Sequence, residues 1–265
     1  MTEITVDRND PIALRHAVRA GTWTSPTAGL APGYLQCNLA VLPQAEAEMF
    51  EAYCRANPAV CPIVAVSKPG DPRLPRLGAD LDLRTDLPSY TVFRDGAAAE
   101  RTGNVTELWR EDLVAFAFGC SFSFEDALRT EGVALRYLDR GDREAIYLSS
   151  VQTEPAGDFA APLIVSMRPL RPADAILAIT ATARYPEVHG GPVHIGKPAM
   201  IGVDLGKPFD TIGRIRVLDD ELPVFWACGV TPQLAIANAK PDFAITHTSA
   251  HMLITDLRLS ELRTG

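Results

Sequence analysis

The chain has 265 residues, 47% of them hydrophobic and 22% charged, and carries a formal net charge of −8. These proportions belong to folded globular proteins and exclude the disordered and fibrous classes. No run of Lys or Arg marks a phosphate-binding stripe, so nucleic acid and anionic membrane are not expected partners. No apolar run approaches the ~20 residues that span a bilayer.

Residues 1–7 lack the basic and apolar regions of a secretory signal. The five cysteines, at positions 37, 54, 61, 120 and 228, are scattered among apolar neighbours and form no CxxC pair. That pattern predicts reduced thiols in a cytoplasmic protein, without a zinc ribbon.

Asp10-Pro11 predicts a capped helix ending at Gly21, with Asp as N-cap and Pro in the first turn. A second helix follows Pro43, with Ala45, Met49, Phe50, Tyr53 and Cys54 on one face, and stops at Asn57-Pro58. Pro62 to Val66 is a β-type run, residues 68–88 form a surface loop, and Tyr90 to Phe93 is a strand entering the Asp95-Gly96 turn. From Asn104 the pattern reads as helical, with Asn104 and Glu107 as a capping box ahead of Leu108, Leu113, Val114 and Phe116. Ser123 and Asp126 open another helix, closed by Gly132.

Val133 to Leu138 and Ala145 to Leu148, around a turn at 139–142, predict an antiparallel hairpin. Leu163 to Met167 is a further strand and Pro172 to Tyr185 a helix. Met200 to Leu205, Val224 to Cys228 and Phe243 to Thr246 are short apolar runs. Thr231-Pro232 caps and begins a helix between the last two, which predicts a βαβ unit with parallel strands. The expected class is α/β: a mixed sheet flanked by helices, with a smaller α+β subdomain. Residues 1–130 and 196–265 would form the main layer and 131–195 the insertion, with nothing linker-like between them.

Three segments could carry chemistry. Gly119 through Glu125 places a thiol (Cys120), two hydroxyls (Ser121, Ser123) and a carboxylate (Glu125) at a helix start, where free N–H groups favour an anion. The plainer reading is ordinary capping by Ser123 with Cys120 packed inside. His189 through Pro198 is a Gly- and Pro-rich loop bearing His189 and His194, which would titrate near neutrality or make structural hydrogen bonds. Thr246 through His251 follows a strand, so His247 would lie at a strand end beside Thr231 and Asp204, where ligands bind in open α/β sheets. A helical turn there would let His247 and His251 share a metal, but its Thr and Ser content disfavours one. Phe225 to Cys228 reads as a buried strand. Phosphate-loop, dinucleotide-loop, serine-elbow and HExxH motifs are absent.

The same segments resemble the D-glutamate cyclase family, many bacterial members of which carry only the general name hydro-lyase. The resemblance rests on Gly33 through Leu39, Asn57 through Pro62, Asp82 through Pro88, Gly119 through Glu125 and Val165 through Pro169. It continues in His189 through Gly196, Pro223 through Thr231 and Thr246 through Met252, and so spans about residues 10–256. Two departures stand out. Thr248-Ser249-Ala250 replaces the family's usual Ala-Pro-Gly, and Lys197 stands where an acidic residue is usual.

The resemblance implies a lyase of D-amino acid metabolism that converts D-glutamate to 5-oxo-D-proline with loss of water, without a redox or organic cofactor; no metal is expected, because the His189 and His194 spacing misses that of a helical zinc site. It assigns His189 and His194 as acid–base groups, followed by Glu125. Arg168 would hold the α-carboxylate, or else be a buried ion pair with an Asp such as Asp86. Ser121 and Ser123 would receive the oxyanion, with Cys120, His247 and Thr231 lining the site. The expected partner is a small acidic metabolite, and a homo-oligomer is left open. Two competing readings are a non-catalytic protein that binds or senses a small dicarboxylate, and a metal-dependent hydratase using His189, His194, His247 and His251.

Overall fold

The computed structural model describes residues 6–210 and 215–265. In chain order its elements are α1 (Pro11–Arg19), β1 (Tyr34–Pro43), α2 (Gln44–Ala56), β2 (Ile63–Val66), β3 (Tyr90–Arg94), β4 (Ala97–Thr102) and β5 (Leu113–Gly119). Then come α3 (Phe124–Thr130), α4 (Arg136–Asp139), β6 (Ala145–Gln152), β7 (Pro162–Leu170) and α5 (Pro172–Ala183). The last are β8 (His194–Ile195), β9 (Leu222–Ala227), α6 (Thr231–Ala239), β10 (Phe243–His247) and β11 (Leu253–Arg258).

Seven strands form one sheet in the order β2-β5-β1-β10-β3-β4, with β11 continuing along β1, and four form a second in the order β6-β7-β9-β8. The α/β class is as expected. The parallel βαβ unit is not: β9 pairs with β7 and β8, β10 with β1 and β3, and all these pairs are antiparallel. α6 therefore carries the chain from one sheet to the other. Spacing alone cannot distinguish that route from a crossover within one sheet.

β1 organises the large sheet because both of its faces are buried. Ala40 and Leu42 point into a core shared with the small sheet, packed with Phe50 and Tyr53 of α2, Phe116 and Phe118, Met167 and Phe225. Leu35, Cys37, Leu39 and Val41 point the other way, under Leu74, Leu77, Leu81, Leu83 and Leu87 of the long 67–88 loop. This is the two-residue alternation of a strand with no wet face. Phe50 meets Phe116 edge-on at 5.2 Å; each such buried ring contributes about 1.5–3 kcal/mol.

Several local expectations fail for related reasons. Leu113 to Gly119 is not helical but a strand buried along its whole length; a continuous apolar run has no periodicity to separate the two. Asn104 caps only the single turn 106–108, its side chain accepting from the Thr106 N–H at 2.8 Å. The 133–148 hairpin is absent, since Arg136–Asp139 is a helical turn and β6 pairs with β7. Residues 198–201 form a tight turn, not a strand, and send Ile201 into the inter-sheet core. On α2, Phe50, Tyr53 and Cys54 are buried with Ala47, while Ala45 and Met49 face solvent. Ser123 and Thr231 do not cap their helices. Ser123 Oγ accepts from the Gln36 N–H at 2.8 Å, and Thr231 Oγ1 from the Ile164 N–H at 3.0 Å, so both tie helix starts to strands. Among the described residues no helix is long and apolar enough to cross a membrane.

Candidate functional site

Where the core between the sheets reaches solvent, strand ends from both sheets converge on one pocket. Its walls are Asn38 of β1, Cys120-Ser121-Phe122 after β5, Glu144 and Ile146 at the start of β6, and Asp210. Cys228-Gly229-Val230 after β9, His247 at the end of β10, and Ser249, Ala250 and Met252 complete it. Among the described residues the lining contains two carboxyl groups, two thiols and one imidazole. An open depression at residues 70–84 is larger, but Asp71, Asp80 and Asp82 there are already paired with Arg73, Arg15 and Arg84.

Two glycines let the walls close. A Cβ on Gly119 would sit 1.9 Å from the Glu187 carbonyl oxygen, and one on Gly229 would sit 2.0 Å from Asn38 Nδ2. Both lie under the distance that real side-chain carbons reach; at 119 the obstacle is main chain, so that approach requires glycine, and at 229 it is the Asn38 side chain, which a larger residue would displace. Beyond each glycine end the chain turns into a helix, and each neighbouring thiol faces a backbone amide two residues on: Cys120 that of Phe122, Cys228 that of Val230. Burial outweighs those amides and pushes the Cys120 thiol up to about 12 and Cys228 higher still, so both are protonated at neutral pH.

Glu144 is the group that sequence reasoning missed. Its side chain is 5% exposed, and Oε2 lies 3.2 Å from Arg168 Nη2 without hydrogen-bond geometry. Burial raises its carboxyl to about 7; Arg168 and the Ser166 hydroxyl oppose the rise, while Glu125 and Asp210 add to it. A carboxyl half-protonated at neutral pH in a pocket wall is suited to general acid–base work. Its only sequence signal is an acidic residue directly before an apolar strand, which is too common to single out. Asn38 lies inside the Gly33 through Leu39 segment, with no local feature that marks it out.

Arg168 lies behind the pocket, fully buried. Its Nε and Nη2 bind Glu125 Oε1 at 2.9 and 2.8 Å, Nη1 donates to Ser166 Oγ at 3.1 Å and Nη2 to Ser121 Oγ at 3.4 Å. Its guanidinium carbon is 4.9 Å from the Phe124 ring centre and 5.5 Å from that of Trp226. Tyr137 Oη donates to Glu125 Oε1 at 2.8 Å. The ion-pair alternative weighed for Arg168 is therefore present, with Glu125 and Glu144 as partners; Asp86 instead binds Arg19.

Of the residues singled out in sequence, Cys120, Ser121 and His247 line the pocket. His247 is 2% exposed, and its Nδ1 accepts from the Leu39 N–H at 3.1 Å, which leaves the ring proton on Nε2. Burial lowers it to about 4, against the pull of Leu39, so it is neutral at pH 7. Glu125, Ser123 and Thr231 stand behind the walls.

The 189–196 loop does not reach the pocket. His189 is buried on the far side of Gly119, its Nδ1 donating to the Ala59 carbonyl at 2.9 Å, and burial lowers it to about 4. His194 is half-buried on the edge strand β8, its Nε2 bonded to the Lys197 carbonyl at 3.0 Å. Asp204 is exposed beside Lys207. Among the described residues no three His, Cys, Asp or Glu side chains are placed to share a metal ion. Of the two departures from the family pattern, Lys197 is exposed and away from the pocket, whereas Ser249 and Ala250 line it. Ala250 has φ +65°, the left-handed region that favours the glycine usual there.

Comparison with known proteins agrees with the resemblance. The family profile described as D-glutamate cyclase matches residues 114–256. A Xanthobacter autotrophicus protein named "Putative hydro-lyase" is 55% identical over 252 residues, covering 95% of this chain and 91% of that one. A Bordetella pertussis protein of the same general name is 54% identical over 245 residues (92% and 88% covered), and one from Rhizobium johnstonii is 52% identical over 249 (94% and 92%).

Proposed function

Because the chain belongs to the D-glutamate cyclase family, we propose that it is a hydro-lyase that closes a small acidic amino acid, D-glutamate, into 5-oxo-D-proline with loss of water. The observation that carries this reading is Glu144: a nearly buried carboxyl, raised to about 7, in the wall of a pocket. A carboxyl able to take up and release a proton suits a substrate with an ammonium to deprotonate, which a plain dicarboxylate lacks.

The chemistry follows from proton accounting. The α-ammonium gives a proton to Glu144, and the freed amine attacks the γ-carboxyl carbon as that group takes the proton on oxygen. The nitrogen's next proton returns to Glu144 and passes to the departing hydroxyl, which leaves as water. One group near pKa 7 can carry both transfers, a contribution of about 10²–10⁴ in rate. Ring closure is already intramolecular, so the pocket mainly holds a folded conformer. The Asn38 amide, the Ser121 hydroxyl and the Gly229 N–H are the wall groups available to the developing oxyanion, each such donor being worth about 10²–10³. The Cys120 and Cys228 thiols, protonated at neutral pH, shape the walls and are not nucleophiles, since an unactivated carboxylate is a poor acyl donor.

The test is incubation of the purified protein with D-glutamate and, separately, L-glutamate, with chiral chromatography for 5-oxoproline. Formation of 5-oxo-D-proline from the D-enantiomer alone is expected. Thermal stabilisation by D-glutamate with no product from it would replace this reading with that of a binding protein.

A further inference from the structure

One guanidinium faces two carboxyl groups behind the pocket, and it serves them unequally. Glu125 Oε1 accepts two hydrogen bonds, from Arg168 Nε at 2.9 Å and Tyr137 Oη at 2.8 Å, and Arg168 Nη2 lies 2.8 Å away as an ion-pair contact. Glu144 receives a 3.2 Å approach of Nη2 that is not a hydrogen bond, and the Ser166 hydroxyl. Only Glu144 of the two lines the pocket. We propose that Glu125 is a positioning residue: by occupying the buried Arg168 guanidinium, it leaves Glu144 as the carboxyl that holds the site's exchangeable proton. This rests on the acid–base reading of Glu144.

The physical argument is one of charge supply. Two carboxylates beside a single buried cation cannot both be fully compensated, and the one with fewer donors keeps a proton. Arg168 cannot relieve the shortage by turning, because Ser166 and Ser121 hold its two terminal nitrogens and the Phe124 and Trp226 rings lie against it. Among the described residues the remaining titratable groups facing Glu144 are Asp210, which also raises it, the Tyr137 phenol, pushed well above its ordinary value by burial, and the thiols Cys120 and Cys228, protonated at neutral pH. Arg168 is thus not a substrate clamp. Its charge is already committed, and the division of that charge tunes the pocket.

The experiment follows the Glu144 carboxyl directly, by its infrared C=O band in the intact protein, assigned by its loss in Glu144→Gln. In Glu125→Gln the competing charge is gone and Arg168 is released to Glu144, so the titration midpoint moves to lower pH by about one unit or more. Glu125→Asp keeps the charge and holds the midpoint within about half a unit of wild type. An unmoved midpoint in Glu125→Gln, or equal movement in both variants, overturns the proposal. Should Glu125→Gln fail to fold, Tyr137→Phe decides: loosening Glu125 moves the midpoint in the same direction by less, and no movement overturns it. The band is read without substrate, so absence of cyclisation with D-glutamate would sink the proposed reaction and leave this result standing. Where cyclisation is present, its pH profile moves with the band.

Discussion

Among the described residues, two arginines have a fully buried side chain, each between two carboxylates, and they do different work. Arg15 of α1 bridges Asp80 and Asp256, both at 2.6 Å, and those carboxylates are 37% and 34% exposed. Arg168 sits between Glu125 and Glu144, which are 14% and 5% exposed. At the first site water solvates the acids, and Arg15 and its neighbours hold Asp80 below the usual carboxylate range despite partial burial. At the second, burial wins and Glu144 rises to about 7. The same three charges make a structural clip when the acids stay wet and a proton-holding site when they dry out.

The sharpest way to break this contrast is to remove the proton carrier. Glu144→Gln should reduce cyclisation by about 10²–10⁴ while the protein stays folded, measured by product formation and circular dichroism; near-wild-type turnover would take the acid–base role from Glu144. Arg168→Met comes next, because it strands two nearly buried carboxyl groups. It should destabilise by about 3–5 kcal/mol in urea unfolding. Arg15→Met should cost less, about 1–2 kcal/mol, since Asp80 and Asp256 can turn to water; a reversed order would refute the comparison.

The dependence of stability on pH gives a smaller effect with a definite sign. His189 and His247, both lowered to about 4, bind fewer protons folded than unfolded between about 4.5 and 6.5, so each adds stability as pH rises. Glu144, raised to about 7, binds one more proton folded over that window and opposes them. Two against one leaves stability rising by roughly 1.4 kcal/mol per pH unit. Urea midpoints across this range should climb with pH, and His189→Gln should flatten the climb; a fall would contradict the burial argument. Asp80→Asn should be the mildest, within about 1 kcal/mol.

How much of this could be read in advance depended on how local each signal was. The α1 cap was legible because Asp10 binds the N–H groups of Ile12 and Ala13, two and three residues on. β5 was not, because what makes Leu113 to Gly119 a strand is its pairing with β1, some 75 residues away in the chain. Ser123 and Thr231 were recognised as polar residues at helix starts but bond to other strands, which no window of sequence contains. Cys120, Ser121 and His247 could be found because each stands at the end of an apolar run. Glu144 owes its character to desolvation and to Glu125, Arg168 and Asp210, which meet only in the fold. His189 and His194 drew notice for their side-chain type, and the fold spends both on backbone carbonyls.

The bare α-carbons at 119 and 229 also govern how this pocket can change. The main-chain oxygen 1.9 Å beyond the first lies outside the cavity, whereas the Asn38 amide 2.0 Å beyond the second is a wall group, so a side chain at 229 fits only if Asn38 moves. Changes in occupant size are more readily met at another part of the rim, at Ile146, Ser249 and Ala250. Within an otherwise closely related group of proteins, that rim is where selection for a new substrate has room to act.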